Sequence, residues 1–271
     1  MTIQWYPGHM TRAKRMIVEE LKIVDAVLEL IDARVPLSSR NPDLQSLTTK
    51  PRILVLTKKD LADESLTQEW IEYWKSQGEL AVAVDLLQGK EVGTINRVIR
   101  SQLPEMRRDP RLLVAGIPNV GKSTLINRLT KRRGAKVGAR PGVTRGKQWL
   151  TAPGMQLLDS PGILWPKFED QDAARKLAII ASIRDEVVDQ ADIAIWLLNF
   201  LKREYPEKLN ERYGSLSEDY PLEDIGRKRG CLLKGGLVDY DQAAVTVLKD
   251  FRTGKLGRIT LDGSPPQSGV K

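Results

Sequence analysis

Nearly uninterrupted apolar runs recur through the first part of the chain, at 24–31, 53–56, 80–84, 112–115 and 155–158. Runs of this length without polar alternation predict short strands buried on both faces, as in a parallel sheet. The segments between them carry helical spacing. Residues 9–22 follow Pro7 and Gly8 and read as a basic amphipathic helix, with Met16, Ile17, Leu21 and Val24 on one face. A second helix carries Trp70, Tyr73 and Trp74, a third lies near 91–103, and a fourth runs from 122 to 130. The stretches 36–42 and 131–148 read as loops, the latter rich in basic residues and glycine with little periodicity. Strands alternating with helices predict a doubly wound α/β domain with a mostly parallel sheet.

After Pro166 the pattern changes. Segments 170–188, 191–203, 221–233 and 240–252 have helical spacing, separated by Pro206, Gly214, Pro221 and the pair Gly235 and Gly236. A smaller all-helical domain is expected at 168–260, after an α/β domain at 1–167. The tail 261–271, rich in Gly, Ser and Pro, is expected to be disordered.

Composition refines this picture in three ways. The net charge of +8 and pI of about 9.5 suggest a polyanionic partner, because each neutralised phosphate releases a counterion. No apolar stretch is long enough to span a membrane, and the N-terminal residues lack the apolar core of a secretory signal. The lone cysteine, Cys231, excludes an internal disulfide, fits a reducing compartment and reads as a small buried apolar residue. A cytoplasmic protein, monomeric when free and not bound to a membrane, is the expectation.

Candidate chemistry begins at the end of the 112–115 run. Gly116, Ile117, Pro118, Asn119, Val120, Gly121, Lys122 and Ser123 satisfy G-x-x-x-x-G-K-[ST], with a strand before and a helix after. Phosphate binding needs backbone N–H groups turned inward, and glycines permit that turn. Asn119, Val120, Gly121, Lys122, Ser123 and Thr124 are the candidate phosphate-binding residues. Lys122 would reach the β and γ phosphates, and the Ser123 hydroxyl would complete a Mg²⁺ shell. The positive end of the following helix dipole points the same way.

A phosphate loop does not choose a base. Thr57, Lys58, Lys59 and Asp60 fit [NT]-K-x-D and follow a buried strand. The Asp60 carboxylate can accept from guanine N1–H and the exocyclic amine, a pair of donors adenine lacks, so GTP and GDP are the expected ligands. The stem of Lys58 would cover the base. Asp85 and Leu86 are candidates to begin the loop closing the base pocket.

Asp159, Ser160, Pro161 and Gly162 fit D-x-x-G, in which Asp159 holds Mg²⁺ through water and the Gly162 N–H senses the γ phosphate. Thr144, between the two phosphate motifs, is the natural Mg²⁺ ligand of a first switch. Many GTPases place Gln after D-x-x-G to orient the attacking water. Here Ile163 and Leu164 follow, so hydrolysis needs another group. His9, the only histidine, is one candidate for catalysis, the alternative being a structural or RNA-contacting residue on an N-terminal arm. Asn119 is another, as ligand to a K⁺ ion bridging the phosphates.

The order of these motifs is unusual. The base-recognition motif precedes the phosphate loop and D-x-x-G, whereas in a conventional G domain it follows them. Closing the same sheet in this order requires circular permutation, which close domain termini permit. Together with Trp5 to Met10, Asp32 to Pro36 and Pro141 to Thr144, these motifs resemble the circularly permuted GTPases, most closely the ribosome biogenesis GTPase A family, over about 1–260. The resemblance implies a Mg²⁺-dependent, K⁺-stimulated GTPase that binds the large ribosomal subunit late in assembly. It also implies that the helical domain contacts rRNA, that hydrolysis is stimulated on the particle, and that the histidine matching His9 is catalytic. A GTP-state binder of rRNA, released after hydrolysis, is the leading expectation. A constitutive RNA-binding scaffold with a structural nucleotide pocket, or a GTPase acting on another RNA such as tRNA, are the alternatives.

Overall fold

The computed structural model describes residues 10–89, 91–103, 106–130, 149–160, 162 and 170–266. These fall into two compact units, one spanning 10–162 with 262–266, the other 170–261.

The first unit is built on a six-stranded sheet of β1 (Ala26–Asp32), β2 (Arg52–Thr57), β3 (Leu80–Ala83), β4 (Arg111–Gly116), β5 (Trp149–Ala152) and β6 (Met155–Asp159). The order across the sheet is β3-β2-β1-β4-β6-β5, and all neighbours are parallel except β5 with β6. Every residue of β1 is buried, which explains why its sequence reads as an almost continuous apolar run. On one face, α1 (Met10–Leu21) packs Ile17 and Leu21 against Val27, Leu113, Ala115 and Leu158, with Leu44 of α2 (Pro42–Leu47) in the same cluster. On that same face of β1, Ile31 and Ala33 meet Trp70 and Trp74 of α3 (Glu64–Ser76). The two tryptophan rings lie 5.1 Å apart, and truncating one such core tryptophan typically costs about 3–5 kcal/mol. Helices α4 (Val92–Gln102) and α5 (Lys122–Thr130) pack against the strands with Ile95, Ile99, Leu125, Ile126 and Leu129 buried. Helices on both faces make this the doubly wound sheet that alternating strands and helices predict.

The second unit contains α6 (Gln171–Ile179), α7 (Gln190–Glu204), α8 (Pro206–Tyr213), α9 (Pro221–Arg229) and α10 (Tyr240–Arg252). Its core is the contact of α7 with α10, through Ile193, Leu197 and Leu201 on one side and Ala244, Val247, Leu248 and Phe251 on the other. Asp170, Asp189 and Asp239 accept backbone N–H groups at the starts of α6, α7 and α10, satisfying donors the helix leaves open. Arg252 binds the far end of α6, donating to the carbonyls of Ala178 and Ile179 while its fork pairs with Asp185 at 2.7 and 2.8 Å.

Four details correct the sequence reading. Strand β5, taken as no element, forms an antiparallel hairpin with β6 through Pro153 and Gly154; four residues at a sheet edge, only one of them buried, carry no clear period. Pro42 and Pro206, read as loop and separator, occupy the first turn of α2 and α8, where a missing N–H is harmless. The segment expected to be helical over 170–188 stops at Ile179, because Ala181 takes a positive φ of 61°. The tail expected to be disordered from 261 is ordered through 266: Leu261 is buried, and Asp262 is buried and bonded. One aspartate with backbone partners outweighs a disorder-prone composition there. Residues 267–271 lie outside the described residues.

Candidate functional site

The register of the parallel strands brings four motifs to one edge. Asp32 sits opposite Thr57, Leu30 opposite Gly116, and Val114 opposite Asp159. The carboxyl ends of β2, β1, β4 and β6 therefore present the base-recognition turn, the 32–34 turn, the phosphate loop and D-x-x-G side by side. Ligands in open α/β sheets bind at this edge.

At the centre is the loop between β4 and α5. A side chain at Gly116 would place its Cβ 2.5 Å from the Leu30 carbonyl oxygen, so only glycine lets β4 turn there against β1. Asn119 holds φ at 59° and Gly121 at 107°, the left-handed geometry that curls the loop. The loop delivers the chain into α5, whose first residues are Lys122, Ser123 and Thr124. Lys122 Nζ donates to the carbonyls of Gly116 at 3.0 Å and Ile117 at 2.8 Å. Burial pushes this ammonium down to about 8, against the favourable charge of Asp159. Burial likewise raises the Asp159 carboxyl, and Lys122 opposes that shift.

D-x-x-G is seated directly against this loop. The Ser160 hydroxyl donates to the Val114 carbonyl of β4 at 2.8 Å, fixing the start of the motif. A Cβ on Gly162 would stand 3.0 Å from Lys122 Nζ and 3.0 Å from the Pro118 Cα. Gly162 thus approaches the phosphate loop as closely as a bare backbone can.

The base-recognition turn is tied to the same loop from the other side. Thr57 is fully buried, and its hydroxyl lies 2.6 Å from the Val120 carbonyl and 3.1 Å from that of Ile31. Its single proton serves one acceptor at a time, and the Val120 contact is the shorter. Lys58 follows in left-handed geometry, and its ammonium meets the buried Asp32 carboxylate at 2.8 Å. Asp32 also accepts from Arg34 Nε at 2.9 Å, Arg34 Nη2 at 2.8 Å and the Arg34 backbone N–H at 3.1 Å. Burial alone would raise this carboxyl, but Arg34 and Lys58 overcome it and hold it far below the usual carboxylate range. Burial lowers Lys58, with Asp32 restoring part of the shift. Removing the shared carboxylate would strand two desolvated cations, a loss of about 3–5 kcal/mol. Asp60, half-buried, sits in the 3₁₀ turn Lys59–Leu61, and Lys59 pairs with Glu91.

Asp85 and Leu86 begin a third wall. The Asp85 carboxylate accepts from the N–H groups of Leu87 at 2.7 Å and Gln88 at 3.0 Å, forming a tight turn after β3. Arg128 of α5 donates to the Leu86 carbonyl at 2.9 Å and to that of Leu87. The Leu86 side chain reaches Gly121, 3.3 Å from where a Cβ would stand.

The structure therefore gathers Thr57, Lys58, Asp60, Asn119, Val120, Gly121, Lys122, Ser123, Thr124, Asp159 and Gly162 along one edge. His9 and Thr144 lie outside the described residues. Asp32 and Arg34, at the end of an apolar run and within the family resemblance, have no role assigned from sequence. Their signal was an aspartate and an arginine closing a largely apolar strand. Ser160 and Arg128 carried no signal, since their hydrogen bonds go to carbonyls distant in sequence.

Comparison with known proteins agrees with this fold. The family model described as 50S ribosome-binding GTPase matches residues 111–226, from β4 into α9, leaving the Thr57–Asp60 turn ahead of the match. Ribosome biogenesis GTPase A of Bacillus cereus is 46% identical over 278 residues, covering 97% of this chain and 94% of that protein. Among solved structures, GDP-bound YlqF of Thermotoga maritima aligns with a TM-score of 0.71 at 30% identity, covering 92% of this chain and 98% of that one. The GNP-bound YlqF from the same organism gives 0.68 at 32% identity, covering 93% and 97%. Similarity of this extent, covering 97% of this chain and 94% of the Bacillus cereus relative, places the protein in the ribosome biogenesis GTPase A family.

Proposed function

We propose that this protein is a GTP-driven switch in late assembly of the large ribosomal subunit, bound to rRNA in the GTP state and released after hydrolysis. The observation that carries the reading is the three-way contact at the sheet edge. Thr57 joins the base-recognition turn to the phosphate loop, and Gly162 lies against Pro118 and Lys122 of that loop. One ligand carrying both a base and a triphosphate meets all three at once. Asp60 accepts from guanine, the Lys58 stem covers the base, and Lys122 exchanges its two loop carbonyls for phosphate oxygens. The Gly162 N–H reports the γ phosphate, and the chain runs from there into the helical unit, so hydrolysis is felt where the second unit begins.

The residues fit a magnesium ion that arrives with the nucleotide. Ser123 in the first turn of α5 and Asp159 at the end of β6 are oxygen ligands, and among the described residues no cluster of three or more His, Cys, Asp or Glu could hold a metal by itself. Hard oxygen ligands, few from protein and the rest from phosphate and water, are what Mg²⁺ takes. Ser123 and Thr144 would ligate it directly and Asp159 through water, and the ion would supply charge neutralisation on the phosphates. Asn119, exposed at the tip of the loop, would hold K⁺ in the same manner. His9 is the proposed catalytic side chain, since Ile163 and Leu164, which directly follow Gly162, cannot hydrogen-bond a water.

Co-sedimentation with ribosomal subunits in the presence of a non-hydrolysable GTP analogue, GDP or no nucleotide tests the proposal. Association with the large subunit in the analogue state alone is expected. Equal association in all three would instead identify a constitutive RNA-binding scaffold.

A further inference from the structure

The peptide that leaves the helical unit returns to the base side of the first unit, at a point the nucleotide motifs do not explain. Leu261 is the last residue of the helical unit and Asp262 the first of the returning segment. Asp262 is only 3% exposed. Its Oδ2 accepts from the backbone N–H groups of Leu37 and Ser38, both at 2.8 Å, and its Oδ1 from the Ser38 hydroxyl at 2.7 Å. The next residue, Gly263, offers its carbonyl to Trp70 Nε1 of α3 at 3.0 Å. Two consecutive residues thus fasten the two elements flanking the base-recognition turn: the loop after β1, and the helix after Asp60.

The loop that Asp262 clamps leads in three steps to Lys58. Ser39 follows the clamped pair, is 1% exposed, and its hydroxyl accepts the backbone N–H of Asp32 at 2.9 Å. Its own N–H donates to the Val35 carbonyl, and the Val35 N–H to that of Asp32, both at 2.9 Å. Asp32 in turn holds the Lys58 ammonium and the Arg34 fork. Ser38, Ser39, Val35 and Asp32 are all buried, so water does not relax these links, and a carboxylate holding one end of the turn restrains the other. We infer that Asp262 is a positioning residue for guanine recognition, acting through the 37–39 turn and Asp32 on Lys58. The inference rests on the reading of Thr57–Asp60 as the guanine site. It makes the affinity for the base depend on a residue one peptide bond beyond the helical unit.

The test is the dissociation of a fluorescent GDP from the full chain, with folding followed by circular dichroism and tripolyphosphate as a base-free competitor. Asp262→Ala should release GDP about tenfold faster while tripolyphosphate competes as it does for wild type. Asp262→Asn, which keeps an acceptor for the two backbone N–H groups, should restore most of the slow release. Ser38→Ala, a milder change that removes only the hydroxyl bond, should give an effect of about two- to threefold. Release within twofold of wild type from folded Asp262→Ala overturns the proposal. If that variant does not fold, unchanged release from Ser38→Ala overturns it. Loss of tripolyphosphate binding along with GDP also overturns it, by showing a general collapse of the site. Wild-type protein that holds fluorescent GDP and ADP equally would refute the guanine site itself, and the positioning role with it.

Discussion

Lys122 occupies the carbonyls of its own loop, and its ammonium is desolvated enough to sit near 8. In the unfolded chain a lysine titrates at about 10.4. Between these values the folded protein binds fewer protons than the unfolded one, so stability rises as pH climbs through that window. This is the opposite of a lysine whose pKa is raised by a partner. Phosphate binding runs the other way, because it needs the ammonium. The affinity for GDP should fall steadily between about pH 7 and 9, while thermal stability measured in parallel does not. A flat affinity profile would mean that Lys122 stays charged throughout and contributes no titration. Which residues form the nucleotide motifs was legible at this scale, because a motif fixes residue type, spacing and flanking period together. That Asp32 anchors Lys58 and Arg34 was not, because an ion pair is defined by distance in space, and β1 and β2 meet only in the folded sheet.

Among the elements, those buried on both faces were the readable ones. Strands β1, β2 and β4 declared themselves as apolar runs, and α3 by its tryptophans. Strand β5 did not, since an edge strand of four residues is specified by its neighbour's hydrogen bonds more than by its own side chains. Helix α8 was hidden by the proline that starts it. The junction of D-x-x-G with the phosphate loop also belongs to this scale, and it makes a sharp prediction. Gly162→Ala would set a methyl group 3.0 Å from the Pro118 backbone and from Lys122 Nζ. The segment must then move away from the loop. GDP should still bind, within about threefold of wild type, because the base turn and the backbone of α5 are untouched; turnover should fall at least about tenfold, because the γ-phosphate contact is lost. Single-turnover hydrolysis at wild-type rate would show that Gly162 does not sense the γ phosphate.

For the whole molecule, net charge and domain order matter most. An excess of eight positive charges favours a polyanion, and such binding is salt-dependent because it releases counterions. Association with the large subunit should weaken by about tenfold to a hundredfold between 0.05 and 0.2 M KCl, as expected for roughly three phosphate contacts. Salt-independent sedimentation would point to protein contacts instead. The sequence by itself determined the fold class, the nucleotide motifs and their permuted order, because burial period and motif spacing are properties of neighbours along the chain. The tertiary structure alone decided how the motifs are joined: Thr57 to Val120, Gly162 to Pro118, Asp262 to the loop beyond β1. Each of those contacts closes a gap of tens to hundreds of residues with a hydrogen bond or a van der Waals approach. No local pattern encodes such a partner, because the sheet brings the two ends together only after the chain has folded.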